Sequence, residues 1–300
     1  MKLPVVPLIA LFVLSGIWGY SWVFLKLGAY DAGPFWFAGL RTFIGSQVLL
    51  LALPLTGRAM LPTRIGELVL LGLVNTTALV GFSQWSLVEG GAARTSVLVY
   101  TMPFWTLLIA WPVLNERIRG LQWPAIALAL AGLVVIVQPW SLGGHLASNG
   151  LALAAAVCWS ASAIMTKRLL AREPMDLLRM TAWQMFFGSV VLLVLALMAD
   201  DVGVVWSERF ISSLLITSVV STALGWLLWV YLLDYLSAGV ASMTMLIVPV
   251  IAVASAAWQL GETLALSDLT GIVLILIGLG MLSAAALRQH REMTGLSAPE

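Results

Sequence analysis

Residues 41–50 have the sequence RTFIGSQVLL, and residues 184–193 have the sequence QMFFGSVVLL. The two stretches share a phenylalanine, a glycine, a serine, a valine and two leucines in the same order, and both lie inside long apolar runs. A segment that returns along the chain indicates two copies of one structural unit. The chain is therefore predicted to consist of two related halves.

The repeat extends well beyond these ten residues. Trp18 and Lys26 are eight positions apart, as are Trp159 and Lys167 in the second half. The later matches are Ser96, Pro103, Glu116 and Gly132 with Ser242, Pro249, Glu262 and Gly278. Matches of tryptophan, lysine, proline and glutamate carry more weight than leucine or valine matches, since apolar helices resemble one another by chance. The repeat therefore covers nearly the whole chain.

The composition places both halves in a membrane. Of the 300 residues, 61% are hydrophobic and only 10% are charged, and the mean hydropathy is +1.02. A soluble domain of this length needs more charge to cover its surface. The apolar runs continue over about 20 residues, as a membrane-spanning helix requires, whereas barrel strands would alternate in polarity. The sequence predicts an all-α polytopic membrane protein.

Ten transmembrane helices are predicted, five in each half. The spans are 5–27, 34–54, 66–86, 93–115, 121–139, 149–170, 177–199, 209–232, 238–260 and 267–287. Because five is an odd number, the second half enters the membrane from the opposite side, which is the inverted-repeat design of secondary transporters around a central cavity. The predicted units are residues 1–140, residues 141–287 and a polar, disordered cytoplasmic tail at 288–300.

Lysine and arginine in the short loops predict the orientation of the chain. If the N-terminus is cytoplasmic, most of these residues face the cytoplasm, and Lys26, Arg94 and Arg209 lie at span ends on the other side. Both termini are therefore predicted to be cytoplasmic. A cleaved signal peptide is the alternative interpretation of the first apolar run. The match of this run to the second half argues against that alternative.

Several motifs carry a resemblance to a known family. They are Trp18…Lys26, Leu40-Arg41-Thr42-Phe43 and Pro103…Asn115-Glu116-Arg117-Ile118, with Trp159…Lys167 and Pro249…Gly261-Glu262-Thr263-Leu264 in the second half. Over about residues 5–287, the chain resembles the EamA branch of the drug/metabolite transporter superfamily, and its many tryptophans are similar to those of YddG-type amino-acid exporters of bacteria. The resemblance implies a basket of ten helices around a central cavity, alternating access, and export from the cytoplasm.

Trp18 and Trp159 are predicted to lie near the membrane midplane. Each is eight residues, about 12 Å of helix, from a lysine that should reach the membrane surface. Half of the hydrocarbon thickness is about 15 Å. Because tryptophan normally lies at the interfaces, the two indoles are interpreted as a stacking wall for an apolar or aromatic substrate, with helix packing as the alternative. Trp22 lies one turn from Trp18 and could extend the wall.

Pro103 and Pro249 fall inside matched spans, where they predict kinks or gates. Each removes the hydrogen bond to the carbonyl four residues earlier, at Val99 or Met245, and a freed carbonyl in a cavity could accept a bond from a substrate ammonium. The other candidate substrate contacts are Asn75, Ser96, Tyr100, Ser242 and Met245. For polar residues at this depth, hydrogen bonding between helices is the alternative.

Arg41 is the one charge well inside a predicted span. A substrate carboxylate is a natural partner for an intramembrane arginine. A structural pairing with Asp31 or with loop carbonyls is the favoured alternative, because the family resemblance covers this arginine whatever the substrate. Gln184 occupies the matching place in the second half, so the symmetry of the fold does not require a charge.

The sequence offers no grouping of residues for catalysis. His145 and His290 fall in a loop and in the tail, and neither a metal-ligand cluster nor a phosphate-binding loop is found. The net charge of +1 without a basic tract argues against a nucleic-acid partner. We therefore predict no enzyme activity, no metal, no cofactor and no obligate protein partner.

The predicted function is export of small metabolites across the bacterial plasma (inner) membrane, with amino acids, including aromatic ones, as the first choice. The predicted partners are a small-molecule substrate and the lipid bilayer. No Asp or Glu lies at a span centre, which favours facilitated transport, since proton-coupled carriers usually have one there. Proton-coupled efflux of amphiphilic cationic drugs and a non-transporting membrane scaffold or sensor stay open as alternatives.

Overall fold

The computed structural model describes the chain in six stretches. They are residues 5–114, 120–137, 146–172, 175–199, 203–235 and 238–293. Side chains are described in these stretches except at residues 5–8, 110–114, 136–137, 171, 230, 233–235, 238–246, 282–283 and 286–293. All of the regular elements within these stretches are helices.

The described helices comprise thirteen α-helices and two π-helical segments. They are α1 (Val5–Ala29), α2 (Pro34–Leu55), α3 (Ile65–Gly72), π1 (Leu73–Ala78), α4 (Leu79–Gly90), α5 (Ala92–Val99), α6 (Met102–Leu114), α7 (Gln122–Val137), α8 (Leu146–Arg172), α9 (Leu177–Ala199), α10 (Glu208–Leu215), π2 (Ile216–Leu224), α11 (Gly225–Tyr235), α12 (Ala238–Leu260) and α13 (Leu266–Met293). These helices overlap all ten predicted spans.

Six helical segments in the described stretches are long and apolar enough to cross a membrane. They are Ile9–Ala29, Pro34–Leu55, Ile65–Gly90, Leu146–Leu170, Leu177–Ala199 and Glu208–Trp229, with three shorter apolar helices at Gln122–Val135, Ile247–Leu260 and Leu266–Met281. The prediction of an all-helical membrane protein is confirmed. The last helix is longer than predicted: α13 continues to Met293, so the first residues of the predicted disordered tail are helical. Residues 294–300 of that tail lie outside the described stretches.

Two of the spans contain a π-helical segment at equivalent places. Segment π1 joins α3 to α4, and π2 joins α10 to α11. In a π-helix, hydrogen bonds reach one residue further than in an α-helix, and such segments often accompany functional sites. Thr76 in π1 and Thr222 in π2 lie at matching positions of the repeat, because their offset of 146 residues is also that of Ser96 and Ser242. The two halves therefore share an irregularity as well as a sequence.

Equivalent helices of the two halves pack against each other. Helix α2 lies along α9, and α7 lies along α13. Glycines permit the close approach to the π-helical segments: a Cβ at Gly45 would lie 2.7 Å from Thr222 Cγ2, and a Cβ at Gly188 would lie 2.5 Å from Thr76 Cβ. Since Gly45 and Gly188 are matched in the sequence repeat, the same contact forms twice with the halves exchanged.

Ion pairs join the halves at the end of the molecule where α1 ends, here called the Lys26 face. Asp31 accepts hydrogen bonds from Arg209 Nη2 and Ser207 Oγ, both at 2.7 Å, and Arg94 donates to Asp268 at 2.7 and 2.9 Å. The hydrogen bond from Arg209 holds the pKa of Asp31 below its ordinary value. Each pair links the first half to the second.

Glu262 also joins the halves at the Lys26 face, because it caps a helix of the other half. Its carboxylate accepts hydrogen bonds from the backbone nitrogens of Ala92 and Ala93, at 2.7 and 2.9 Å. These are the first residues of α5, where unpaired N–H groups and the helix dipole favour a carboxylate. The loop before α13 is thereby fastened to the fourth span of the first half.

The opposite end, called here the Arg172 face, carries a more exposed set of contacts. Arg58 pairs with Asp176 at 3.1 Å, and Arg172 lies 3.6 Å from Glu67, which also pairs with Arg64. The side chain of Arg172 is 71% exposed and that of Arg58 is 45% exposed. Exposed ion pairs contribute little to stability because water screens them.

Candidate functional site

Four tryptophans meet between the two faces, and they are called here the tryptophan layer (Trp18, Trp159, Trp226 and Trp229). The ring centroid of Trp18 lies 6.0, 5.5 and 5.8 Å from those of Trp159, Trp226 and Trp229. The rings meet edge to face or tilted, which is the arrangement that aromatic quadrupoles prefer. Helices α1 and α8, the matched first helices of the halves, and α11 supply these side chains.

A hydrogen bond to π2 fixes the indole of Trp18. Its Nε1 donates to the carbonyl oxygen of Ser221 at 3.1 Å, so the polar group of this buried indole is satisfied. A Cβ at Gly225 would lie 2.5 Å from the same Nε1. Only a glycine therefore lets α11 approach the indole this closely.

A first cavity of about 90 Å³ lies on the Lys26 side of the tryptophan layer. Its lining consists of Trp18, Ser21, Trp22, Leu25, Arg41, Leu79, Val80, Ser83, Val99, Tyr100, Trp159, Ser221 and Trp226. A space of about 10–15 Å³ on this scale holds one water molecule. The cavity is therefore large enough for several waters or a small polar ligand.

A second cavity of about 50 Å³ lies on the Arg172 side of the layer. Its lining consists of Leu71, Asn75, Trp159, Ser162, Ala163, Thr166, Met180, Thr181, Gln184, Trp226 and Trp229. Trp159 and Trp226 line both cavities. The tryptophan layer thus separates two spaces that face opposite ends of the molecule.

Neutral polar groups form a network in the second cavity. Gln184 Oε1 accepts a hydrogen bond from Thr76 Oγ1 at 3.1 Å, and Asn75 Nδ2 lies 3.5 Å from the same oxygen. Asn75 Oδ1 accepts a bond from Ser162 Oγ at 2.9 Å. The network joins α9 and α8 of the second half to π1 of the first half.

The first cavity has a charged group at the equivalent place. Arg41 Nη1 donates to Thr222 Oγ1 of π2 at 3.2 Å. Of the two structural partners predicted for Arg41, Asp31 is wrong, because Asp31 bonds Arg209 and Ser207 at the Lys26 face. Residues Arg41 and Gln184 therefore occupy matching positions, and each is bonded to a matching threonine of the other half.

The structure brings together five of the predicted site residues. Trp18, Trp22, Arg41, Tyr100 and Trp159 all line the first cavity, and the ring centroids of Tyr100 and Trp159 are 5.4 Å apart.

The other predicted contacts lie apart from this group. Asn75 lines the second cavity instead of the first. Ser96 is buried and donates to Ala93 O of its own helix at 2.7 Å, and it lines neither cavity. The side chains of Ser242 and Met245, in α12, lie outside the described part of the chain.

The matched prolines have different surroundings. The fourth span is broken at Tyr100 and Thr101, and Pro103 is the second residue of the helix that follows. Pro249 lies within α12, which continues through it. The carbonyl of Val99 precedes the break, and Val99 lines the first cavity. The helix is therefore interrupted next to Pro103 but not at Pro249.

Sequence reasoning missed two members of the tryptophan layer. Trp226 and Trp229 lie toward the end of the predicted span 209–232, where tryptophan normally faces the membrane interface, yet Trp226 lines both cavities. The available signal was position along a helix: Trp226 lies one turn beyond Thr222, which is near the middle of the predicted span 209–232. The π-helical segment of this span hid that signal, since it changes which residues share a face.

The chain matches one protein family over both halves. The model of the EamA-like transporter family matches residues 6–138 and again residues 147–284. The uncharacterized transporter YoaV of Bacillus subtilis (strain 168) is 30% identical over 275 residues, which are 88% of this chain and 92% of that protein. A Salmonella typhimurium protein named "Probable amino-acid metabolite efflux pump" is 30% identical over 278 residues, with 88% and 90% covered.

A solved crystal structure shares the fold. It superposes with a TM-score of 0.70 at 15% identity and covers 95% of this chain and 99% of its own. At this identity, the likeness concerns the arrangement of the helices alone.

Proposed function

The chain belongs to the EamA-like transporter family, and we propose that it exports small, partly apolar metabolites from the cytoplasm by alternating access. Amino acids, including aromatic ones, are the proposed substrate class. The relative named as an amino-acid metabolite efflux pump supports this class. The tryptophan layer between two cavities is the observation that carries the mechanism.

The proposed topology has ten spans in two inverted halves, residues 1–140 and 141–287, followed by a cytoplasmic tail, 288–300. The exchanged contacts of Arg41 with Thr222 and of Gln184 with Thr76 support the inversion. Both termini lie in the cytoplasm in this proposal, because most loop lysines and arginines fall on that side. The first cavity then faces the periplasm, and the second faces the cytoplasm.

The transport cycle follows from this placement. A substrate enters the second cavity from the cytoplasm, where Asn75 and its neighbours offer amide and hydroxyl groups. Rocking of the halves then parts the tryptophan layer, as expected for inverted repeats. The substrate's apolar part stacks on Trp18, Trp22 and Trp159 and leaves through the first cavity. Ser96, Ser242 and Met245 are the weaker proposed contacts, and Pro103 and Pro249 are the proposed hinge positions.

We propose that transport is facilitated and is not coupled to protons. The sequence has no Asp or Glu at the centre of a predicted span, and intramembrane carboxylates are the usual proton carriers of pumps. The gradient of the substrate then determines the direction of net flux.

Flux into liposomes that contain the purified full-length chain tests this proposal. The panel is a set of labelled amino acids, nucleotide sugars and lipophilic cations, each measured with and without a pH gradient. Amino-acid flux without a gradient is the expected result. Flux of cations alone, and only with a proton gradient, would instead establish a drug antiporter. No flux of any compound would favour the scaffold or sensor.

A further inference from the structure

Arg41 brings an unusual charge into the interior of the described helices. The residue is only 8% exposed, and it lines the first cavity. Nη1 donates to the neutral hydroxyl of Thr222, and Nε has no hydrogen-bond partner in the described part of the chain. A buried guanidinium stays protonated in proteins, so a full positive charge borders this cavity.

The carboxylates of the Lys26 face are bonded to other partners. Asp31 bonds Arg209 and Ser207, Asp268 bonds Arg94, and Glu262 caps α5. The ion pairs of the described residues do not include Arg41. A buried charge without an opposite charge is costly. The guanidinium is therefore better suited to receive an anion from outside the chain than to stabilise the fold.

The other polar groups of the first cavity complement an ammonium. The hydroxyls of Ser21, Ser83 and Ser221 each donate their proton to a carbonyl of their own helix, at 2.8, 3.0 and 3.0 Å. Each hydroxyl oxygen keeps lone pairs that accept hydrogen bonds. The cavity therefore combines one cationic donor, three hydroxyl acceptors and a wall of indoles, which matches a zwitterion with an apolar or aromatic side chain.

The second cavity lacks this combination among its described lining residues. Gln184 occupies the position that matches Arg41, and its neighbours Asn75, Ser162, Thr166 and Thr181 are neutral. An arginine forms a two-pronged, charge-assisted contact with a carboxylate that a neutral amide cannot reproduce. A residue that can select a carboxylate is therefore present in the first cavity, whereas the described lining of the second cavity has none.

We infer that Arg41 is the carboxylate-selecting residue of the first cavity, so that this transporter prefers zwitterionic amino acids over amines of the same shape. This inference rests on the proposed function, because it assigns a substrate class to the proposed route. It goes further by placing the selection in one cavity and on one side chain.

Binding of two matched compounds tests the inference. L-phenylalanine and L-phenylalaninol share a ring and an amine, and only the first has a carboxylate. Equilibrium dialysis of each labelled compound against the full-length protein in detergent gives the ratio of dissociation constants. The wild type is expected to bind phenylalanine about tenfold more tightly or better, as charge-assisted hydrogen bonds predict.

Three variants locate the source of the preference. Arg41→Gln is expected to reduce the ratio to about one, and Arg41→Lys to an intermediate value, since it keeps the charge without the planar fork. Arg168→Gln makes the same chemical change at the exposed end of α8 and is expected to keep the wild-type ratio. A ratio near one in the wild type overturns the inference without any variant, so the test does not depend on the folding of Arg41→Gln.

Flux of the same two compounds separates this inference from the proposed function. If the wild type carries both compounds at equal rates and binds them equally, the exporter stands and the role of Arg41 falls. If the wild type binds them in the expected ratio, Arg41→Gln abolishes that ratio, and the wild type carries neither compound, the role of Arg41 stands and the exporter falls. An unchanged ratio in a folded Arg41→Gln protein would also overturn the inference.

Discussion

The two cavities on either side of the tryptophan layer are built from equivalent helices, yet they differ in charge. Helix α2 contributes Arg41 to the first cavity, and α9 contributes Gln184 to the second. Each of these residues bonds the matching threonine of a π-helical segment, Thr222 or Thr76. The repeat therefore sets the backbone of both cavities, while one exchanged side chain gives each cavity its own chemistry.

The two faces of the molecule differ in how exposed their polar contacts are. Lys26 donates to the carbonyl oxygens of Leu87 and Val88, at 2.8 and 3.0 Å, whereas its match Lys167 is exposed. The carboxylates of Asp31 and Asp268, at the Lys26 face, are 10% and 6% exposed. The contacts of the Arg172 face are more exposed, so we expect the halves to be joined more firmly at the Lys26 face.

The largest effect is expected from Trp159→Ala, which removes a wall of both cavities at once. The ring of Trp159 contacts the rings of Trp18, Tyr100, Trp226 and Trp229, at centroid distances of 5.4 to 6.5 Å. Each aromatic pair contributes about 0.5–1.5 kcal/mol. Flux of phenylalanine per correctly inserted protein is expected to fall more than about tenfold.

The matched control for this variant is Trp258→Ala, because Trp258 is 81% exposed and lies away from both cavities. Its flux is expected to equal that of the wild type. Normal flux in a correctly inserted Trp159→Ala protein would mean that the tryptophan layer only packs the helices together.

A matched pair of substitutions on the π-helical segments compares the stability that a charged and a neutral hydrogen bond contribute. Thr222→Val removes the acceptor of a buried guanidinium, which costs about 1.5–3 kcal/mol of unfolding free energy. Thr76→Val removes a neutral bond to Gln184, and such bonds within membranes contribute about 0.6 kcal/mol. Unfolding of both variants in the same detergent checks the order. Equal losses would show that Arg41 does not depend on Thr222.

Asp31→Asn tests the contact between the halves at the Lys26 face through its pH dependence. The pKa of Asp31 is lowered in the folded protein, first of all by the hydrogen bond from Arg209. The ionised carboxylate therefore stabilises the fold at neutral pH, and this stabilisation is lost as the pH falls through about 4 and below. Thermal unfolding of the wild type and the variant is expected to differ at pH 7 and to converge in acid. A difference that stays constant with pH would contradict the assignment.

The smallest effect is expected from Ser162→Ala in the second cavity. The variant loses the bond from Ser162 Oγ to Asn75 Oδ1, at a cost of about 0.6 kcal/mol. The ratio of dissociation constants for phenylalanine and phenylalaninol is expected to remain that of the wild type, since the carboxylate contact lies in the other cavity. A changed ratio would show that both cavities select for the carboxylate.

The sequence predicts the helices well because their signals are local. Continuous apolar runs locate the spans, and the repeat aligns the halves. The spacing of Trp18 from Lys26 and of Trp159 from Lys167 predicts that the two tryptophans lie at one level, and their ring centroids are 6.0 Å apart in the structure. These features need only helix geometry and the hydrophobic thickness of a bilayer.

The sequence does not predict which side chains share a cavity, because this depends on how each helix is rotated about its axis. Segments π1 and π2 add residues to a turn, so side chains beyond them point elsewhere than an α-helical pattern predicts. Asn75 and Tyr100 are both predicted substrate contacts, yet they line different cavities. The partner of Asp31 is Arg209, nearly two hundred residues along the chain. Side-chain spacing within a span cannot reveal such a contact.

Labelling of single cysteines tests whether the tryptophan layer separates cavities that open to opposite sides of the membrane. The chain has a single cysteine, Cys158, so a Cys158→Ala background allows one reporter at a time. Ser83→Cys places a thiol in the first cavity and Thr166→Cys places one in the second. A membrane-impermeant maleimide is then applied to intact cells and to inverted vesicles. If the layer separates the two cavities, the first thiol is labelled from the periplasm alone and the second from the cytoplasm alone. Labelling of both thiols from the same side would show that the two cavities are connected.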